Sequence, residues 1–174
     1  MTVNKRDIAI ARWLETPSKR AQIAAYLAVR ISAGLIPRGY ELPHSSDLAR
    51  TFDAGEATAR VAKQHVAAQG LARVEAGRYV GNLTPDPHRR PAQQEILAWQ
   101  QSTSPVEQMM ADLADLIQTG AMKPGDGLPS DTTLARNWEA SETAASHAKL
   151  RLACFPGIVR MDADHVFHVA DGAE

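Results

Sequence analysis

The stretch Ile31-Ser-Ala-Gly-Leu-Ile-Pro-Arg-Gly-Tyr-Glu-Leu-Pro43 returns 86 residues later as Ile117-Gln-Thr-Gly-Ala-Met-Lys-Pro-Gly-Asp-Gly-Leu-Pro129. Ile31, Gly34, Gly39, Leu42 and Pro43 fall on Ile117, Gly120, Gly125, Leu128 and Pro129 without a gap. The match runs outward in both directions. Upstream, Ile10 and Trp13 fall on Ile96 and Trp99. Downstream, Leu48, Ala49 and Arg50 fall on Leu134, Ala135 and Arg136. Ala54, Glu56, Ala59, Ala62 and Lys63 then fall on Ala140, Glu142, Ala145, Ala148 and Lys149, after which the match fades. An ordered series of Trp, Gly and Pro is not what two unrelated Ala-rich helices produce. The 174-residue chain reads as a tandem duplication. The junction, Asn82-Leu-Thr-Pro-Asp-Pro-His-Arg-Arg-Pro-Ala92, holds three prolines and predicts a stiff, extended linker. The expected domains are 1–82 and 92–174, joined by 83–91.

Each copy reads alike. A short leading helix covers about 5–15 and 92–101, with Ile10/Trp13 and Ile96/Trp99 at i, i+3 on one face. A second helix starts at Ser18 or Ser104, suitable N-caps. Its apolar stripe is Ile23, Leu27, Val29 and Ile31 in one copy and Met109, Leu113, Leu116 and Ile117 in the other. Gly34 and Gly120 end it as C′ residues. A third helix follows Leu-Pro, with Ser45 or Ser130 as cap, and a fourth spans about 56–69 or 142–154. Leu71–Val80 then reads as a hairpin around Ala76-Gly77. Ile158–Met161 and His165–Val169 make a poorer one. Helix, short turn, helix, hairpin is the order of a winged helix-turn-helix. The expected fold is mainly α with small β-hairpin wings, as two tandem winged helix-turn-helix domains.

Composition narrows the function. No run approaches the ~18 apolar residues of a membrane span, and no secretory signal is expected at the start. A single cysteine, Cys154, excludes an internal disulfide and argues against a cysteine zinc site. Aromatic residues, at 5%, are too few for a base-stacking platform. These features predict a cytoplasmic protein. The net charge of -1 conceals a split. Residues 1–86 hold 12 Lys/Arg against 8 Asp/Glu, and residues 87–174 hold 7 against 12. A polyanion would prefer the first copy.

Residues 31–80 resemble the DNA-binding domain of the GntR family of bacterial transcription regulators. The resemblance is carried by Ile31–Pro43, Asp47-Leu-Ala-Arg-Thr-Phe52, Ala54-Gly-Glu-Ala-Thr-Ala-Arg60, Ala68-Gln-Gly-Leu71 and Gly77-Arg-Tyr-Val80. The second copy matches through Ile117–Pro129 and Leu134-Ala-Arg136. Nothing resembles the family's large C-terminal ligand-binding domain; a second copy stands in its place. The resemblance implies double-stranded DNA as partner, a nucleoid-associated location, and transcription regulation, with repression common among relatives. Family arginines are replaced by Ser46 and Thr132 in the third helices and by Glu56 and Glu142 at the start of the fourth. Thr58, Arg60, Gly77 and Arg78 still match in the first copy; at the same 86-residue offset the second holds Ala144, Ser146, Ala163 and Asp164.

The DNA-binding residues so implied are Ser45, Ser46, Thr58, Arg60, Lys63, Gly77, Arg78 and Tyr79. Thr58, Arg60 and Lys63 are expected on about one face of the recognition helix, meeting the major groove, with Arg78 on the wing reaching backbone or minor groove. Ser130, Thr143, Ser146 and Lys149 form the weaker candidate set of the second copy. Glu56 and Glu142 sit in first helical turns, where a carboxylate complements the macrodipole; base reading is the lesser alternative. Arg89-Arg90 reads as a solvated basic pair, with a phosphate clamp as the alternative. Asp162, Asp164, His165 and His168 suggest a metal site, but alternation puts the two histidines on opposite faces of a strand. Cys154 reads as core. No Ser/His/Asp arrangement, P-loop or dinucleotide fingerprint occurs, so neither catalysis, cofactor nor metal is expected. The rival reading is an interaction module: an acidic second copy that has lost DNA and serves a homodimer or another protein. The two readings are compatible, one per copy.

Overall fold

The computed structural model describes residues 4–84, 86–164 and 166–171. They fall into two compact units, one running to Thr84 and the other starting at Asp86. The first contains α1 (Lys5–Glu15), α2 (Lys19–Ser32), α3 (Ser45–Phe52), α4 (Glu56–Ala68) and the hairpin β1 (Ala72–Glu75) and β2 (Arg78–Gly81). The second repeats that order with α5 (Gln93–Gln101), α6 (Pro105–Gln118), α7 (Asp131–Asn137), α8 (Glu142–Ala153), β3 (Val159–Met161) and β4 (Phe167–Val169). The protein is thus mainly helical with two small antiparallel hairpins.

In the first unit α2 is the central helix, packed by α1 and α4, while α3 lies on α4. Its stripe Ile23, Leu27, Val29 and Ile31 is buried, as are Ile10, Leu48, Val66 and Leu71. Ala24, Ala28, Ala59 and Ala62, all at 0% exposure, let the α2 and α4 backbones approach closely. Ser18 caps α2 by accepting from Ala21 N at 3.2 Å. Gly34, at φ 85°, ends it, since a left-handed residue there costs an L side chain about 1–2 kcal/mol.

In the second unit α6 is central and buries Met109, Met110, Leu113 and Ile117. Leu116, expected in the stripe, is 40% exposed because it lies at the stripe's edge, where the first unit carries Arg30. Ile10 and Ile96 are both buried, but the tryptophans differ: Trp99 is buried and Trp13 only half-buried. Phe155 covers Trp99 edge-on at 5.8 Å; Ala68 and Gln69, at the matching end of α4, carry no ring.

The first hairpin closes through Ala76 (φ 51°) and Gly77 (φ 79°), both left-handed, in a two-residue loop with Glu75 opposite Arg78. That is the backbone of a type I′ turn, for which Asn-Gly is the preferred pair. Ala76→Asn is therefore expected to raise unfolding stability by about 0.5–1 kcal/mol, checked by urea melts of both proteins.

The duplication continues through the hairpins, hidden from alignment by small insertions. Asn82 N donates to Leu71 O and Ala170 N to Ile158 O, each at 2.9 Å. One offset is 87 residues and the other 88, against 86 in the helices. The second hairpin therefore has a longer loop, and Gly81 matches Val169 by register. Counted back from there, Arg78 matches Val166, not Asp164 as the constant offset predicts, and Gly77 does not match Ala163.

The chain leading into the third helix is stitched to its hairpin in the same way in both units. Gly39 N donates to Gly81 O, Gly81 N to Tyr40 O and Leu42 N to Tyr79 O. Gly125 N donates to Val169 O, Val169 N to Asp126 O and Leu128 N to Phe167 O. Single bridges Glu41–Val80 and Gly127–His168 mark the equivalent places.

The proline-rich junction is not an extended linker from Asp86 onward. His88 N donates to Asp86 Oδ1 at 2.9 Å and Arg89 N to Asp86 O at 3.1 Å, forming a turn within the second unit. The Arg89 guanidinium donates to Cys154 O at 3.0 Å and lies 4.5 Å over the Phe155 ring. Gly157 N donates to Arg89 O at 2.9 Å. Cys154 is buried, as expected.

Candidate nucleic-acid interface

The surface of the first unit that the sequence singles out is made by α3, the exposed side of α4 and the hairpin tip. A short break at Asp53–Gly55 joins the helices, with Asp53 left-handed at φ 51° and Ala54 N donating to Ala49 O at 2.8 Å. Gly55 is the N-cap of α4, and Glu56 stands in its first turn.

The structure does not bring Thr58, Arg60 and Lys63 to one face. At 3.6 residues per turn Thr58 lies across the helix from Arg60, and Lys63 falls between Arg60 and the buried Ala59 and Val66. The exposed side of α4 is Glu56, Ala57, Arg60 and Gln64; Thr58 is half-buried and Lys63 only 7% exposed. Lys63 is therefore corrected from a groove-facing residue to a largely buried one, and Gln64 joins the exposed face. Gln64 is readable from the sequence as the i+4 neighbour of Arg60. Ser46 is exposed and Ser45 half-buried at the start of α3. Ser45 is not the cap: the N-cap is His44, whose side chain makes no capping bond. Gly77 and Arg78 are exposed at the hairpin tip, and Tyr79 is half-buried beside them.

Every arginine on this surface lies beside a carboxylate. Arg60 sits 3.4 Å from Glu56, Arg78 3.4 Å from Glu41, Arg50 3.5 Å from Asp47 and Arg73 2.6 Å from Glu75. Exposed pairs of this kind contribute about 0–1 kcal/mol, so a phosphate or base edge competes with them readily. Arg73 also donates to Gly81 O and Asn82 Oδ1, both at 3.2 Å, which gives it a part in holding the hairpin base. Glu41, unremarked in the sequence, lies at the centre of a cluster, with His44 3.9 Å away on its other side.

Lys63 is in an unfavourable place for a cation. It makes no hydrogen bond or ion pair among the described residues. Desolvation pulls its pKa down, opposed by the charge of Glu41. A lysine pKa lowered in the folded state destabilises the fold at neutral pH, and stability recovers as pH rises from the folded pKa toward 10.5. Lys63→Met is expected to be more stable than wild type by about 1 kcal/mol at pH 7, and this gain should shrink as pH approaches 10.5. Denaturant midpoints of the two proteins across that range test the sign.

The second unit differs at several of the equivalent places. Lys149 is also buried, but its ammonium lies 2.7 Å from Asp131 Oδ1 and donates to Pro129 O at 3.0 Å. It is thus corrected from candidate DNA contact to internal ion pair. Ser130 is the helix cap, accepting from Thr133 N at 3.2 Å. Thr132 donates to Glu142 at 3.0 Å, tying α7 to α8. Thr143 is exposed and Ser146 half-buried, and the exposed side of α8 carries no lysine or arginine. Arg151 is held by Glu107 at 3.4 Å.

Asp162 accepts from Asp164 N and Val166 N at 2.9 and 3.0 Å, which makes it the organiser of the hairpin loop. His165 lies outside the described residues. Arg89 is committed to Cys154 and Phe155, so the Arg89-Arg90 pair is not a two-residue phosphate clamp. Among the described residues no group of three His, Cys, Asp or Glu side chains is placed to hold a metal. No helix among them is long and apolar enough to cross a membrane.

Comparison with known families finds no family model that matches this chain. No curated protein and no solved structure matches it either.

Proposed function

We propose that the protein is a sequence-specific DNA-binding regulator of transcription, acting as a repressor, built from two tandem winged helix-turn-helix units. The first unit is the reader and the second has given up DNA contact. The observation carrying this reading is the contrast between the two copies. In the first, Arg60 on α4 and Gly77-Arg78 on the hairpin tip are all exposed; in the second, the exposed side of α8 has no basic residue. The charge split agrees, and so does the resemblance of Ile31–Val80 to GntR-type domains. In this reading α4 enters the major groove and the hairpin tip follows the neighbouring backbone.

Isolated residues 1–86 are expected to bind duplex DNA with an affinity that falls steeply with salt, while isolated 87–174 binds weakly or not at all. Fluorescence anisotropy of both halves on random and genomic duplexes measures this. Equal binding by the halves overturns the division of labour, and no binding by either overturns the function.

A second role for the acidic unit is favoured by one observation. Leu97 and Leu116, on α5 and α6, are 44% and 40% exposed. Their counterparts in the first unit are Ala11 and Arg30. The second unit on this reading contacts protein, either another copy of the chain or a partner.

A further inference from the structure

The two buried lysines occupy the same turn of the same helix in the two units, yet only one has a counter-ion. In the second unit Asp131, the first residue of α7, places its carboxylate 2.7 Å from the Lys149 ammonium. The residue at that position in the first unit is Ser45, which is too short to reach and carries no charge. Lys63 is nevertheless 93% buried, and no described side chain pairs with it. Lys63 matches Lys149, whose ammonium meets the first residue of α7, so it stands on the side of α4 facing the entrance to α3. There α3 begins without a side-chain cap, since His44 makes no bond to the first-turn amides, whereas Ser130 caps α7. The first unit thus presents uncapped helix amides, a largely buried lysine with no ion pair among the described residues and the hydroxyl of Ser45 where the second presents a carboxylate.

We propose that Lys63, Ser45 and the first turn of α3 form a seat for a phosphate oxyanion, which the Asp131 carboxylate fills from within in the second unit. Helix N-terminal amides and a lysine ammonium are the donors such an anion takes. Glu41 is the built-in competitor. Its contacts to Arg78 and His44 are long, at 3.4 and 3.9 Å, and its side chain is 38% exposed, so it can turn into solvent when an anion arrives. The phosphate is either a backbone phosphate of duplex DNA, in which case the seat deepens the DNA reading above, or a free phosphate monoester.

The test follows the Lys63 Cε–Hε NMR signal of the full chain, assigned by its loss in Lys63→Met. Inorganic phosphate is titrated against chloride at equal ionic strength. Phosphate, and not chloride, is expected to shift the signal saturably. Ser45→Asp should abolish the shift while raising the lysine's pKa and the melting temperature, because it rebuilds the pair seen in the second unit. Glu41→Gln should tighten phosphate binding. Duplex binding is measured in parallel, with Thr51→Asp at an exposed position as the control for charge alone. If a DNA phosphate occupies the seat, Ser45→Asp lowers the slope of log affinity against log salt by about 0.9, and Thr51→Asp does not. A saturable shift lost in Ser45→Asp, with no duplex binding by any variant, keeps the seat, assigns it a free phosphate ligand and rejects the DNA reading. No phosphate-specific shift, or a shift that survives in Ser45→Asp, overturns the seat even if the protein binds duplex.

Discussion

Gly157→Ala is expected to destabilise the second unit by about 3 kcal/mol, leaving the first unit unchanged. A Cβ on Gly157 would stand 2.6 Å from His88 O and 2.7 Å from Arg89 O. Both neighbours are backbone, so no rotamer change relieves the clash. The segment Asp86–Arg89 has to lift away, breaking the Gly157 N–Arg89 O bond and drawing the Arg89 guanidinium off Cys154 O and the Phe155 ring. Phe155 also covers Trp99, so the core edge loosens with it. Gly125→Ala is the contrasting variant. It has no neighbour within 4 Å, and its φ of +86° costs about 1–2 kcal/mol at most. Urea melts of the isolated second unit, read by tryptophan fluorescence, compare the two. A Gly157→Ala midpoint at or above that of Gly125→Ala would show that 86–89 is not bound to the unit.

Arg60→Ala is expected to weaken specific duplex binding by about 1–3 kcal/mol, the range for one side chain reading a base edge, with folding stability changed by only a few tenths. Arg60 is 62% exposed and its one pairing, with Glu56 one turn earlier, is 3.4 Å long. On DNA the guanidinium leaves that pair, and Glu56 becomes a local repulsive charge. Glu56→Ala is accordingly expected to strengthen binding to random duplex. Gel-shift titrations on specific and random sequences test both. If Arg60→Ala binds like wild type and Glu56→Ala binds no more tightly, α4 is not the reader and the protein-contact reading takes its place.

The repeat was legible because Trp, Gly and Pro have few substitutes in their roles. Gly34 and Gly120 mark helix ends that need left-handed backbone, and Ala76-Gly77 marks a turn that needs it twice. Helix limits followed within one residue, because caps and apolar periodicity are local signals. The hairpin of the second unit was harder: two insertions shift its register, so a constant offset aligns Asp164 with Arg78 although the backbone aligns Val166. The site was only partly readable. Arg60 and Arg78 are exposed as expected, Arg60 because its neighbours one turn away, Glu56 and Gln64, are polar, and Arg78 because it directly follows the turn residues Ala76-Gly77. Lys63 was misplaced because lysine suggests solvent, while Ala59, Ala62 and Val66 beside it form the buried side of α4. Counting at 3.6 residues per turn puts Lys63 with that side. The turn at Asp86–Arg89 depends on Gly157, some seventy residues away, and no local signal announces such a contact.

The stitch between each hairpin and the chain entering the third helix has a consequence for folding. It joins residues about 40 apart in sequence, Gly39 with Gly81 and Gly125 with Val169, so it closes after the local helices have formed. At that moment the chain holds two hairpins and two similar segments, Gly39–Pro43 and Gly125–Pro129, which share Gly, Leu and Pro at matching places. Exchange between them preserves every backbone hydrogen bond and yields a kinetic trap of the kind tandem copies are prone to. What opposes it is where the copies differ: Tyr40 and Glu41 stand against Asp126 and Gly127, and the second hairpin has the longer loop. The lysines do not add to this: exchange would pair Asp131 with Lys63 and leave Lys149 unpaired, the same single pair as in the native arrangement. Selection of the native pairing therefore falls to the loop lengths of the two hairpins and to Tyr40 and Glu41.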